Sequence, residues 1–206
     1  MLDYQPFFEQ YEALVRKVDT AVGRVHADHA EAVRCREGCS DCCFAVFDLT
    51  LVEAFYLNAH FNWELAEETR EPKLARAENS DRQFYQIKHK LQGLRQREGK
   101  GESELLLYLA EQRVRCPLLN DAQRCDFYAF RPLTCRIYGV PASIHGEPRI
   151  CGLSGFQPGQ SYPTVHLDRV NEVLFDLSRR LLREAGVMDP DQKLRGLVMP
   201  VSEALM

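Results

Sequence analysis

Along residues 3–34, apolar groups recur at Phe7, Tyr11, Leu14, Val18, Val22 and Val25, three or four positions apart with charged residues between them. That spacing predicts a long amphipathic helix, which delivers the chain to Cys35. The short run FAVFDLT at 44–50 predicts a strand or an extended connector. Thr50, with Glu53 three residues on, reads as a capping box opening a helix through LVEAFYLNAHF. Residues 64–98 are densely charged, and Pro72 is expected to divide them into two helices, the second over DRQFYQIKHKLQGLRQ. GKGES at 99–103 closes that segment, and SELLLYLAEQR predicts a short helix ending before Cys116. Residues 115–152 are rich in turn signals, and 153–163 read as loop. Within 164–186, Val170, Val173, Leu174, Leu177 and Leu181 predict a C-terminal helix, stopped at Gly186 with Pro190 beyond it. The expected fold class is therefore mainly α: a helical domain with irregular cysteine-bearing loops and few or no strands.

At 206 residues, 45% hydrophobic and 27% charged, the chain has enough apolar material for one sizeable core. It is expected to form a single domain over 1–206. The net charge of −4, with basic and acidic residues interleaved, argues against nucleic acid as a partner. The first seventeen residues lack the basic-then-apolar order of a leader, and the longest apolar run, LLLYLA at 105–110, is too short for a membrane span. A cytoplasmic protein with no membrane partner is the expectation.

In a reducing compartment, the eight cysteines read as metal ligands or redox groups before they read as disulfides. Four of them, Cys35, Cys39, Cys42 and Cys43, fall within nine positions, and Cys116, Cys125, Cys135 and Cys151 follow in the turn-rich segment. Core filling rarely needs such density. Thiolates suit soft or borderline metals, and close spacing lets one loop supply several ligands at little closure cost. Eight thiols divide into two four-coordinate sites, or serve one site with spare thiols. Either way, metal would join the N-terminal half to the C-terminal half.

Arginines crowd the cysteines: Arg34 and Arg36 flank Cys35, while Arg115, Arg124 and Arg136 adjoin Cys116, Cys125 and Cys135. Their charge would offset that of a thiolate site. Arg131 and Arg136 are the candidate cofactor-binding residues. Pro132 fixes the turn beside Arg131, which is placed to reach a sulfur or a loop carbonyl. His26, His29 and His145 read as surface or core histidines rather than ligands. Phe127, Tyr128, Phe130 and Tyr138 read as shields around the site. Structural zinc favours C-x2-C pairs, often with histidine, whereas a short-spaced triplet is closer to cluster-binding loops. The reading leans to an iron–sulfur cluster over zinc.

The knuckle CREGCSDCC, followed by CPLL and RCDFYAFRPLTCRIYGVP, closely resembles the YkgJ-type cysteine-cluster proteins, whose domain is held to chelate zinc or iron. The matching positions are Cys35, Cys39, Cys42, Cys43, Cys116, Pro117, Leu119, Cys125, Tyr128, Arg131, Pro132, Cys135 and Arg136. The resemblance spans about 30–152, so the charged helical segment 64–98 and the C-terminal helix look like additions to a metal-binding core. It implies metal or iron–sulfur binding and no settled reaction.

The leading expectation is a metal-binding protein with a structural, redox or metal-handling role. One alternative is an iron–sulfur enzyme. C-x3-C-x2-C is also the radical S-adenosylmethionine spacing, but Asp41 stands where an aromatic residue is usual and no βα repeat is present. Methyl transfer on a cluster does not need that barrel. The other alternative is a zinc-stabilised module that serves a protein partner. No G-x-G-x-x-G, G-K-[ST] or G-x-S-x-G motif points to a nucleotide or to serine chemistry.

Overall fold

The computed structural model describes residues 3–187 and 193–206. Helix α1 (Gln5–Asp28) buries Phe7, Phe8, Tyr11, Val18, Val22 and Val25, the stripe expected from its spacing except that Leu14 is only half-buried and Phe8 joins it. It ends sooner than the apolar pattern suggested, because Ala32 and Val33 fold back to donate to the His29 carbonyl.

Helix α2 (Leu51–Glu64) lies at the centre and is apolar around most of its girth, with Leu51, Val52, Ala54, Tyr56, Leu57 and Phe61 buried. Its capping box forms as expected: Glu53 Oε2 accepts from the Thr50 backbone N–H at 3.1 Å and from Thr50 Oγ1 at 2.9 Å. The second oxygen of Glu53 accepts from the Leu133 N–H at 3.2 Å, which ties the head of α2 to the second cysteine segment. Burial pushes the Glu53 pKa up, and these three donors oppose that shift.

The charged segment is one helix, α3 (Glu67–Arg97), not two. Pro72 lies in its second turn on an exposed face, where its missing N–H forfeits a single bond to the Glu68 carbonyl. The turns on either side hold because Lys73, Ala77, Ser80 and Phe84 pack inward. Beyond Phe84, neither the rest of α3 nor α4 (Glu102–Glu111) buries a residue, so residues 85–111 form an arm outside the core, with Lys88 pairing with Asp48 at 3.2 Å.

Helix α5 (Leu133–Ile137) carries Cys135. Helix α6 (Leu167–Glu184) buries Val170, Leu174, Leu177, Ser178 and Leu181. Ser178 Oγ accepts from the Val52 N–H at 3.1 Å, so α6 satisfies one of the unpaired donors at the start of α2. The chain leaves α6 through Gly186 at φ +71°; Pro190 lies outside the described residues. A last helix, α7 (Val201–Leu205), packs between α2 and α3.

The strands are short. β1 (Leu49–Thr50) pairs antiparallel with β5 (Val198–Met199); β2 (Ala142–Ile144) pairs with β3 (Glu147–Arg149) as a hairpin and in parallel with β4 (Val165–His166). The protein is mainly α, as its patterning predicts. Among the described residues, no helix is long and apolar enough to cross a membrane.

The buried side chains form two clusters. One joins α1, α2, α5 and α6 and contains no cysteine. The other joins α2, α3 and α7 to Leu118 and Phe127 of the second cysteine segment, with Cys116 and Cys125 packed against it.

Candidate metal centre

The first cysteine loop is two successive turns. Gly38, at φ +84°, lets Cys39 N–H reach the Arg36 carbonyl at 2.9 Å. The 3-10 turn Asp41–Cys43 then brings Cys43 N–H to the Ser40 carbonyl at 2.9 Å and Phe44 N–H to that of Asp41 at 3.0 Å.

The second segment returns antiparallel beside the first. Ala45 bridges to Arg113, Val114 N–H donates to the Phe44 carbonyl at 3.0 Å, and Cys116 N–H donates to the Cys43 carbonyl at 2.7 Å. Pro117 sets the turn Cys116–Leu119. A small hairpin, with Gln123 at φ +59°, then places Cys125 against Leu119. The Arg124–Glu37 ion pair and the bond from Ser40 Oγ to Gln123 Oε1 at 2.8 Å lock that hairpin to the first loop.

Cys151 enters after β3, its carbonyl accepting from Ser154 N–H at 2.9 Å and Oγ at 2.7 Å. Gly155 N–H reaches the Ala32 carbonyl at 2.7 Å, and a Cβ on Gly155 would lie 3.0 Å from Ala32 Cα. The absence of a side chain there lets this strand of loop close against the chain leading into Cys35.

All eight thiols are free, and all line one cavity of about 460 Å³. Among the described residues, no three His, Cys, Asp or Glu side chains already converge on a point that one ion would occupy. The sulfurs ring a space. Burial pushes the Cys116 thiol up to about 12, and burial with the neighbouring Cys39, Cys151 and Cys42 pushes Cys35 up to about 11. Cys125, Cys135 and Cys151 are raised chiefly by burial as well. Cys42 moves the other way, to about 7, because its sulfur is hydrogen-bonded to the Cys43 thiol, whose own pKa rises as a result. Thiols crowded in this way resist ionisation until a cation is present to take up their charge.

The arginines divide by role. Arg115 donates to the carbonyls of Leu119 and Asn120 at 3.2 and 3.1 Å, and Arg136 to those of Arg131 and Ala129 at 2.9 and 2.5 Å and to Asp19 at 2.7 Å. Both brace loops, and Arg136 does so at the cavity wall. Arg131 differs. Its guanidinium stacks 3.9 Å over the Tyr128 ring, its charge favours the thiolates of Cys35, Cys42, Cys125 and Cys135, and its buried Nε has no partner. An orphaned donor among thiols suits an anionic sulfur centre.

Of the histidines, His26 lies at the cavity wall, His29 packs on Phe156 and Tyr162, and His145 pairs with Asp168 at 3.3 Å away from the thiols. Tyr138 is more than a shield: its hydroxyl donates to Asp41 Oδ2 at 2.8 Å, and Arg113 holds the other oxygen of that carboxylate. Neither Asp41 nor Arg113 stood out in the sequence as part of the site. An acid set between Cys39 and Cys42 was the available signal.

The family model for CxxCxxCC, described as "Putative zinc- or iron-chelating domain", matches residues 34–152, which take in all eight cysteines. No curated protein and no solved structure matches the chain. The match extends over more than half of the sequence and begins and ends at the two cysteine segments that fold together here. The chain belongs to the CxxCxxCC family.

Proposed function

We propose that this protein holds zinc or an iron–sulfur cluster in the thiol-lined cavity, as a structural, redox or metal-handling centre of a cytoplasmic protein. One observation carries the reading: eight free thiols from two segments, separated by the long stretch between Cys43 and Cys116, line a single cavity. Cys42, Cys43, Cys116, Cys125 and Cys135 are the inner thiols from which a four-thiolate set would come, since they act electrostatically on one another and are half-buried or deeper; Cys42, Cys116, Cys125 and Cys135 are the set we favour. Arg131 would direct its free Nε–H at a ligand sulfur, and Arg136 would hold the turn that carries Cys135. Bound there, the metal supplies either a fixed cross-link or, as a cluster, an electron site. The Cys35-x3-Cys39-x2-Cys42 spacing leans to a cluster, although this set draws only Cys42 from that loop.

A second reading, a cluster-dependent group-transfer enzyme, draws on the cavity's size. About 460 Å³ lies within the usual ~300–1,000 Å³ range of small-molecule pockets and exceeds what four thiolates around one ion need.

The test is purification without an affinity tag under anaerobic conditions, followed by an absorption spectrum and analysis for iron, zinc and sulfide. A brown protein with sulfide equal to iron establishes the cluster. A colourless protein with one or two zincs per chain establishes the zinc centre. Metal-free chains that take up neither on reconstitution sink the proposal, as does a Cys42→Ser variant with undiminished metal content.

A further inference from the structure

The thiols of the cavity fall into two groups. Cys42, Cys43, Cys116, Cys125 and Cys135 influence one another across its inner part. Cys35 and Cys39 are the exposed thiols and mark its rim, Cys151 meets Asp41 beside them, and Cys35 feels Cys39, Cys151 and, across to the inner part, Cys42.

A carboxylate reaches the same rim. Asp41 starts the 3-10 turn and lines the cavity, with its side chain only 19% exposed. The Cys151 thiol donates to Asp41 Oδ2 across 3.8 Å. An ion bound by one thiolate sulfur and one carboxylate oxygen in tetrahedral geometry would separate those two atoms by about 3.6 Å, given usual zinc–ligand lengths of ~2.3 and ~2.1 Å. Little motion is needed for both atoms to share an ion. Ligands of different irons in one cluster stand farther apart, so this pair suits a single ion rather than a cubane.

The surroundings hold the arrangement in place. Tyr138 spans it: its hydroxyl fixes Asp41 Oδ2, while its carbonyl accepts from the Cys35 thiol at 3.6 Å. The next residue, Gly139, at φ +97°, lies directly under Cys35 Sγ, where a Cβ would collide with the sulfur. Arg113 pairs with the other Asp41 oxygen and offsets part of the charge of three thiolates and a carboxylate. A hydrogen-bonded carboxylate with its own cation behind it is the usual outer support of a metal ligand.

We propose that Cys35, Cys39, Cys151 and Asp41 form a separate, solvent-facing site for one divalent zinc or iron(II) ion, beside the inner all-thiolate centre. The inference rests on the reading that the cavity holds metal, and adds that the two centres differ in kind. One oxygen ligand and two exposed thiols make the rim ion the more exchangeable. Loading it releases the thiol protons of Cys35, Cys39 and Cys151 to solvent, with no change of oxidation state. The rim is thus the entry and exit station, and the inner centre is the retained one.

The experiment uses the full chain, anaerobic and saturated with zinc, and follows release to a chromophoric chelator. The expected record for the wild type has a fast and a slow phase. Asp41→Ala and Cys151→Ser should each abolish the fast phase and leave the slow one, with the melting temperature of the slow-phase species retained. Cys125→Ser should do the reverse. Asp41→Asn keeps an oxygen for Tyr138 and guards against misfolding of the alanine variant; it should accelerate the fast phase by about tenfold or more. A single phase in the wild type, or unchanged amounts and rates in all three rim variants, overturns the rim site while leaving the metal-centre reading intact. A wild-type chain that binds no metal overturns that reading, and the rim site with it.

Discussion

Glu53 places a carboxyl, 5% exposed, between the start of α2 and the turn before Cys135. Three donors converge on its two oxygens, yet burial still holds its pKa above the usual glutamate range. The folded state therefore binds this proton more tightly than the unfolded chain does. The stability it contributes is complete below the ordinary glutamate pKa and is lost as pH rises through the folded value. Glu53→Gln cannot offer acceptors to all three donors and should cost about 1–3 kcal/mol. It should also remove this group's slope from urea midpoints taken as pH rises above the ordinary glutamate pKa. A variant that keeps the wild-type slope would place the titration elsewhere. At this scale the sequence was an uneven guide. Thr50 and Glu53 announce their capping box by spacing, and the cysteines announce themselves by type. Asp41 does not, because its partners Tyr138 and Cys151 lie 97 and 110 positions away and meet it only in the folded chain.

Among the elements, α1 and α6 were legible because their buried faces repeat at helical spacing. The course of α3 was not, since a proline rule read locally overrules what inward packing on both sides can sustain. Pro72 is a tolerated defect, and its site predicts the gain from removing it. Pro72→Ala restores one helical bond at an exposed position, partly offset by a more flexible unfolded chain. The expected result is a rise of about 1 kcal/mol in unfolding free energy by denaturant titration. A fall would mean that the proline ring supports the first turn. The pairing of β1 with β5 and the seating of α7 were equally hidden, because two-residue strands carry no period and their partners are distant in sequence.

Across the whole molecule, the two apolar clusters stand in different relations to the thiols. The cluster of α1, α2, α5 and α6 contains none, whereas that of α2, α3 and α7 leans on Cys116 and Cys125. Stripping metal with a chelator should therefore loosen the protein unevenly. Hydrogen exchange should rise sharply in residues 34–45 and 113–126 and in α7, and far less in α1 and α6. Uniform loss of protection would show instead that both clusters depend on the centre. The backbone bond from Cys116 to Cys43 has a further consequence. Everything between the two cysteine segments departs and returns through the short backbone ladder that joins 43–45 to 113–116, and in 85–111 neither helix buries a residue. Closing a chain excursion costs only about 0.6 kcal/mol more for each doubling of its length. The arm could therefore lengthen, shorten or be exchanged for another sequence at little closure cost to the cysteine segments, giving up chiefly the exposed Lys88–Asp48 pair.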